Sequence, residues 1–298
     1  SCGGKQSFFN LAQALLDPGD EVIIPAPYWV SYPDMVRLAD GEPVILEAGI
    51  DQGFKITPHQ LETSITDKTK LVVINSPSNP TGVAYTRAEL TALAEILLKY
   101  PRILIATDDM YEHILWADEP FTNILNVCPE LYRRTIVLNG VSKAYAMTGW
   151  RIGYAGGPKQ LIQAMKKVQS QSTSNPASIS QAAAQEALDG DQSCIAPMLK
   201  AFKARHDFVV QALNSIPGVR CTQADGTFYT FPDVSAVIRR LEGVNDDVEL
   251  AEYLLREAGV ALVPGSAFGA PGYVRLSFAT SMELLEEALR RLKRTLAG

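Results

Sequence analysis

Several features that would assign a function quickly are missing from this 298-residue sequence. No apolar run approaches the roughly 18 residues that span a bilayer, which argues against a membrane helix. No stretch shows the basic start, apolar middle and small-residue cleavage site of a secretory signal. With four scattered cysteines (Cys2, Cys128, Cys194, Cys221) and no CxxC pair, the sequence offers neither a disulfide framework nor a zinc ribbon. Free thiols and no export signal lead to the expectation of a cytoplasmic protein. The three histidines (His59, His113, His206) form no HExxH pattern, so no metal site is expected. There is no excess of basic charge. The net charge is -6, which gives little affinity for a phosphate backbone, so no nucleic-acid partner is expected. Repeats and low-complexity segments are also absent.

What is present is a large apolar fraction, 47%, enough for an extensive core. Short runs rich in Val and Ile are expected as strands: Glu21–Pro25, Pro43–Glu47, Leu71–Asn75, Ile103–Thr107, Thr135–Asn139 and Ile152–Ala155. Several lack polar alternation, as strands buried on both faces of a mostly parallel sheet do. Helical patterns separate them at Gln6–Leu16, Tyr32–Ala39, Arg87–Lys99 and Lys159–Gln169. The fold class expected is therefore α/β, with helices on both faces of the sheet. After about Ser193 the texture changes. A long helix runs to Pro217-Gly218, followed by strands at Thr227–Phe231, Val260–Val263 and Tyr273–Phe278 and helices at Val248–Ala258 and Met282–Leu296. The expected organisation is a large domain over 1–195, then a connecting helix and a small α+β domain over 196–298.

In an open parallel sheet ligands bind beyond the carboxyl ends of the strands. Lys143 lies four residues past Asn139, on a turn of small residues where desolvation activates an amine for Schiff-base chemistry. Taken alone it reads more plainly as a surface lysine. Arg151, eight residues on, is placed for a phosphate. Asp108 and Tyr111 follow the strand ending at Thr107. Asp108 is equally well a helix cap or the partner of a ring nitrogen. Asn79 sits in the rigid turn Ser76-Pro77-Ser78-Asn79-Pro80-Thr81-Gly82. Gly3-Gly4-Lys5-Gln6 opens a helix, whose free amides suit a phosphate. Trp29 is either core or a surface on which a flat ring stacks.

These residues together resemble the class I aminotransferases of the aspartate aminotransferase type, fold type I of the pyridoxal-phosphate enzymes. The resemblance is carried by Asn79-Pro80-Thr81-Gly82, Asp108 to Tyr111, Ser142-Lys143, Gly149-Trp150-Arg151-Ile152-Gly153 and Tyr273-Val274-Arg275-Leu276-Ser277. It covers essentially the whole chain. Gly3 to Gln6 and Ser31-Tyr32-Pro33 look most like the bacterial Ib branch, which includes aspartate and prephenate aminotransferases.

The resemblance implies a three-layer αβα large domain and pyridoxal 5'-phosphate as cofactor, bound covalently by Lys143. Asp108 would pair with the pyridine nitrogen, Tyr111 and Asn79 with the ring oxygen, and Trp29 would stack on the ring. Gly4, Lys5 and Arg151 would hold the phosphate. Arg275 would grip the substrate α-carboxylate, with Trp29 and Asn79 beside it, and Lys5 would reach the distal carboxylate of an acidic substrate. The implied reaction is ping-pong transfer of an amino group between an amino acid, aspartate or glutamate foremost, and a 2-oxo acid, with Lys143 as general base. Rival readings are a prephenate or aromatic aminotransferase and a non-catalytic domain of this fold in a transcription regulator. The resemblance also implies a homodimer with shared active sites. Two departures stand out: Gly140, where many members carry Ser or Thr, and Asp109, where Glu is usual. The chain opens at Ser1 without Met, already inside a working loop, and reads as one whose front has been lost or omitted.

Overall fold

The computed structural model describes residues 1–296. A six-stranded sheet has the order β2-β1-β3-β4-β5-β6, built from β1 (Glu21–Ala26), β2 (Glu42–Glu47), β3 (Thr69–Asn75), β4 (Leu104–Asp108), β5 (Thr135–Gly140) and β6 (Gly153–Gly156). The first five are parallel, and β6 runs antiparallel to β5. Alternate side chains of the central strands enter two different cores, the consequence of a two-residue period. Ile23, Val72, Ile74 and Ile105 pack against α3 (Pro58–Ser64), α4 (Arg87–Leu98) and α5 (Ile124–Val127). Val22, Ile24, Leu71, Val73 and Ala106 pack on the opposite face. There they meet α1 (Gly4–Leu15), α2 (Ser31–Arg37) and Met165 of α6 (Lys159–Ser170). Burial on both faces is why these strands read as unbroken apolar runs.

Beyond β6 come α7 (Ser178–Asp189) and the long α8 (Ile195–Asn214). A second sheet, of order β7-β9-β8, comprises β7 (Tyr229–Thr230), β8 (Val263–Pro264) and β9 (Val274–Ser277). Its neighbours are α9 (Ser235–Arg240), α10 (Asp247–Ala258) and α11 (Met282–Leu296). Leu285, Leu289, Leu292 and Leu296 of α11 join Val209 and Leu213 of α8 and Leu250 and Leu254 of α10 in a third core.

Two strands are shorter than their sequence suggests. The run from Thr227 begins only at Tyr229, because Thr227 adopts φ 66°, out of the extended region. The run from Val260 follows the left-handed Gly259 that ends α10, and it pairs only from Val263, opposite Arg275. The helix α7 had no expectation attached to it. Among the described residues, no helix is long and apolar enough to cross a membrane and no group of three or more His, Cys, Asp or Glu is placed to hold a metal.

Connections leave β1 in opposite directions across the sheet, to β2 on one side and eventually β3 on the other. That reversal opens a crevice at the carboxyl ends of these strands.

Candidate active site

A cavity of about 340 Å³ occupies this crevice. Each strand end contributes to its wall. Trp29 follows β1, Asn79 follows β3, Asp108 and Tyr111 close β4, and Lys143 follows β5. Gly4 and Lys5 at the start of α1 line it too, with Arg151 before β6 and Arg275 on β9. All nine site residues expected from the sequence therefore share one cavity.

Lys143 is partly buried. Desolvation, then the nearby cations Arg275 and Arg151, hold its amine below the usual lysine range, while Asp108 acts in the opposite sense. Its Nζ lies 5.5 Å from the centre of the Phe228 ring. A lysine so placed is a better nucleophile and base near neutral pH than one in water.

Asp108 is partly exposed to the cavity, and desolvation of its carboxyl raises it above the ordinary value. Hydrogen bonds from Tyr32 and the Met110 amide, and the charge of Lys143, oppose that rise. Among the described residues it has no salt bridge. A cation brought against it through the cavity would offset its desolvation. Tyr111 lies against Tyr229, with the two hydroxyls 3.2 Å apart. Burial and then Tyr229 keep its phenol well above the normal range, so it remains an O–H donor.

Arg275 has an unusual setting. Its guanidinium lies between two rings, 4.4 Å from the centre of Tyr229 and 4.8 Å from that of Phe268. Nη1 donates to Asn79 Oδ1 at 2.8 Å, and the buried Nε has no partner. Aromatic faces hold the plane without neutralising the charge, leaving donors for an incoming anion. Asn79 is itself set by Asn75, whose Oδ1 accepts from the Asn79 amide at 2.9 Å and whose Nδ2 donates to the Asp108 carbonyl at 3.0 Å.

At the opposite end, α1 begins at Gly4 with Gly3 as its N-cap at φ 94°. A Cβ on Gly3 would overlap the Arg151 guanidinium, so glycine is what lets the arginine lie over the helix start. Arg151 donates from Nη1 to the Thr148 carbonyl at 2.8 Å. Helix amides and a guanidinium converging on one point form an anion cradle. Lys5 Nζ stands 5.2 Å from the centre of the Trp29 ring.

The two departures have physical reasons. A Cβ on Gly140 would sit 2.8 Å from the Ile152 carbonyl oxygen and 3.2 Å from Met110 Cε, so this backbone has no room for Ser or Thr there. Asp109 is buried outside the cavity and accepts from Thr107 Oγ1 at 2.6 Å and Asn123 Nδ2 at 2.8 Å, pinning the end of β4. Sequence reasoning passed over Asn75, Tyr229, Phe268 and Tyr32. Asn75 ends a strand at the crevice, which was a usable signal, and Tyr32 lies in the Ser31-Tyr32-Pro33 segment of the resemblance though no role was attached to it; Tyr229 and Phe268 carried none.

The family model described as aminotransferase class I and II matches residues 1–292. The chain belongs to this family. An aspartate/prephenate aminotransferase of Nitrosomonas europaea is 60% identical over 297 residues, covering 98% of this chain and 75% of the relative. The aspartate aminotransferase structure from Rhizobium meliloti superposes with a TM-score of 0.95 at 48% identity, over 99% of this chain and 75% of that one. The aromatic aminotransferase structure from Pyrococcus horikoshii gives 0.92 at 37% identity, over 99% and 78%. As a class I and II aminotransferase the chain is of an enzyme family that moves amino groups between amino acids and 2-oxo acids.

Proposed function

We propose that this aminotransferase uses pyridoxal 5'-phosphate, with aspartate as amino donor and prephenate among its acceptors. The observation that carries the reading is the desolvated Lys143 sharing one cavity with the desolvated carboxyl of Asp108 and the uncompensated Arg275. The residues present fit the cofactor. The start of α1 and Arg151 would hold its phosphate, Asp108 its ring nitrogen, Tyr111 and Asn79 its ring oxygen, Trp29 its ring face and Lys143 its aldehyde carbon. When bound, it supplies a carbonyl that condenses with amines and a cationic ring that accepts negative charge.

The chain's own groups do the rest. Arg275, fixed by Asn79 and its two rings, orients the substrate α-carboxylate. The Lys143 amine takes the proton from the substrate α-carbon, its lowered pKa leaving more of it neutral and free to accept one. Asp108 holds the proton on the ring nitrogen, and Tyr111 donates to the ring oxygen. Lys5 lines the same cavity as Arg275, so a dicarboxylate has a cation for each end. That arrangement supports aspartate, and supports prephenate, which also carries two carboxylates. Residues 1–195 form the cofactor-holding body in this reading, and 196–298 the part that brings Arg275 to it.

The test is an absorption spectrum of the chain with added pyridoxal phosphate, before and after aspartate. The lysine-bound band is expected to convert to that of the pyridoxamine form, and prephenate to reverse it. Lys143→Ala should show neither the band nor turnover. Normal transamination by that variant would sink the assignment.

A further inference from the structure

Tyr32 lies on α2, outside the cavity wall, and is 1% exposed. Its hydroxyl is 2.5 Å from Asp108 Oδ2. Its ring packs 4.8 Å from Phe8 and meets Trp29 edge-on at 5.1 Å and 88°. One side chain thus touches both the carboxylate proposed for the ring nitrogen and the indole proposed for the ring face. We propose that Tyr32 is a positioning residue whose phenol holds Asp108 ionised, so that the shared proton stays on the cofactor's ring nitrogen rather than on the carboxylate. This rests on the reading of Asp108 as the ring-nitrogen partner.

The direction of the hydrogen bond follows from the burial. Desolvation first, then the neighbouring Asp108, keeps the Tyr32 phenol well above its ordinary range, so it donates and does not accept. The other groups around the carboxylate are Lys143 beyond β5, and Asp109 and Tyr111 on its own loop. The Met110 amide gives a longer bond, 3.3 Å, to the other oxygen, Oδ1. Tyr32 is therefore the only side-chain hydrogen-bond donor to this carboxylate among the described residues. Without it, the carboxylate gains proton affinity and the proton moves from the ring nitrogen to Asp108. The ring loses its positive charge and with it much of its capacity to accept electrons.

The experiment uses holoenzyme reconstituted with cofactor labelled with 15N at the ring nitrogen. Its protonation is followed by NMR across a pH titration. Tyr32→Phe keeps the ring against Phe8 and Trp29 and removes only the donor. The titration midpoint is expected to fall, and kcat to drop about tenfold with KM within about twofold. If Tyr32→Phe does not fold, fluorotyrosine incorporated at position 32, a stronger donor of nearly the same shape, should raise the midpoint. An unchanged midpoint in whichever protein folds overturns the proposal. Asp108→Ala separates the two layers. A neutral ring in that variant, with no effect at position 32, leaves the reading of Asp108 standing and removes Tyr32's role. A ring still protonated without Asp108 removes both.

Discussion

Burial lifts the Asp109 carboxyl to about 7 from an ordinary 3.8, with Asp108 and Glu112 adding to the rise against the Thr107 and Asn123 hydrogen bonds. A raised carboxyl binds a proton in the folded chain that the unfolded chain has already released, so this group removes stability as pH rises from about 4 to 7. Asp109→Asn keeps an acceptor for Thr107 and cannot ionise. The difference in Tm between variant and parent should move in the variant's favour across that window, as melting curves at several pH values would show. A constant difference would mean that Asp109 ionises freely. Lys5 calls for a different measurement. If it meets the distal carboxylate, Lys5→Ser should lower kcat/KM for aspartate about tenfold relative to a neutral amino acid. An unchanged ratio would remove that role. Residues differ sharply in how visible such roles are before folding. Lys143, Asp108 and Asn79 follow buried strands directly, and strand ends of a parallel sheet converge. Tyr32, Tyr229 and Phe268 come from a helix, a two-residue strand and a short 3-10 helix, and only packing brings them to Asp108 and Arg275.

At the scale of elements, the start of α1 is held by contact with the turn before β6. The Gly153 amide donates to the Ser1 carbonyl at 3.0 Å, and Arg151 lies where a Gly3 Cβ would be. Gly3→Ala meets both that overlap and an unfavourable φ, a cost of about 1–3 kcal/mol. Because the displaced group is the anion cradle, affinity for pyridoxal phosphate should fall about tenfold or more, measured by fluorescence titration. An unchanged Kd would place the phosphate elsewhere. Element boundaries in the large sheet were legible because doubly buried strands cannot be mistaken for amphipathic ones. The second sheet was less so. Its strands are two to four residues long, and of two left-handed residues Thr227 opens one run that looks extended by composition and Gly259 immediately precedes another. Within α7 only Ser180 and Ala184 are buried, which leaves no apolar stripe to read.

For the whole molecule, Trp150, Tyr154, Ile179 and Leu188 are exposed large apolar side chains between residues 150 and 188, with Ile179 at 70%. The homodimer implied by resemblance would use such a surface, since an apolar side chain left in water gains most from a partner. Ile179→Glu is then expected to shift sedimentation toward a monomer while leaving the far-ultraviolet spectrum intact. A chain that is monomeric before the change would exclude this surface as the cause of pairing.

The cavity wall also has a charge balance opposite to that of the chain around it. Lys5, Lys143, Arg151 and Arg275 face a single carboxylate, Asp108, inside a protein of net charge -6. With the proposed cofactor taking up Lys143 and Arg151, Lys5 and Arg275 remain, so a small dicarboxylic acid meets repulsion at long range and attraction at these two cations, where low-dielectric walls concentrate the field. Added salt weakens both, the outer barrier over a Debye length of about 8–10 Å and the buried attraction much less. Capture of acidic substrates should consequently tolerate ionic strength better than a surface-steered enzyme would, while large polyanions are turned away before they reach the crevice.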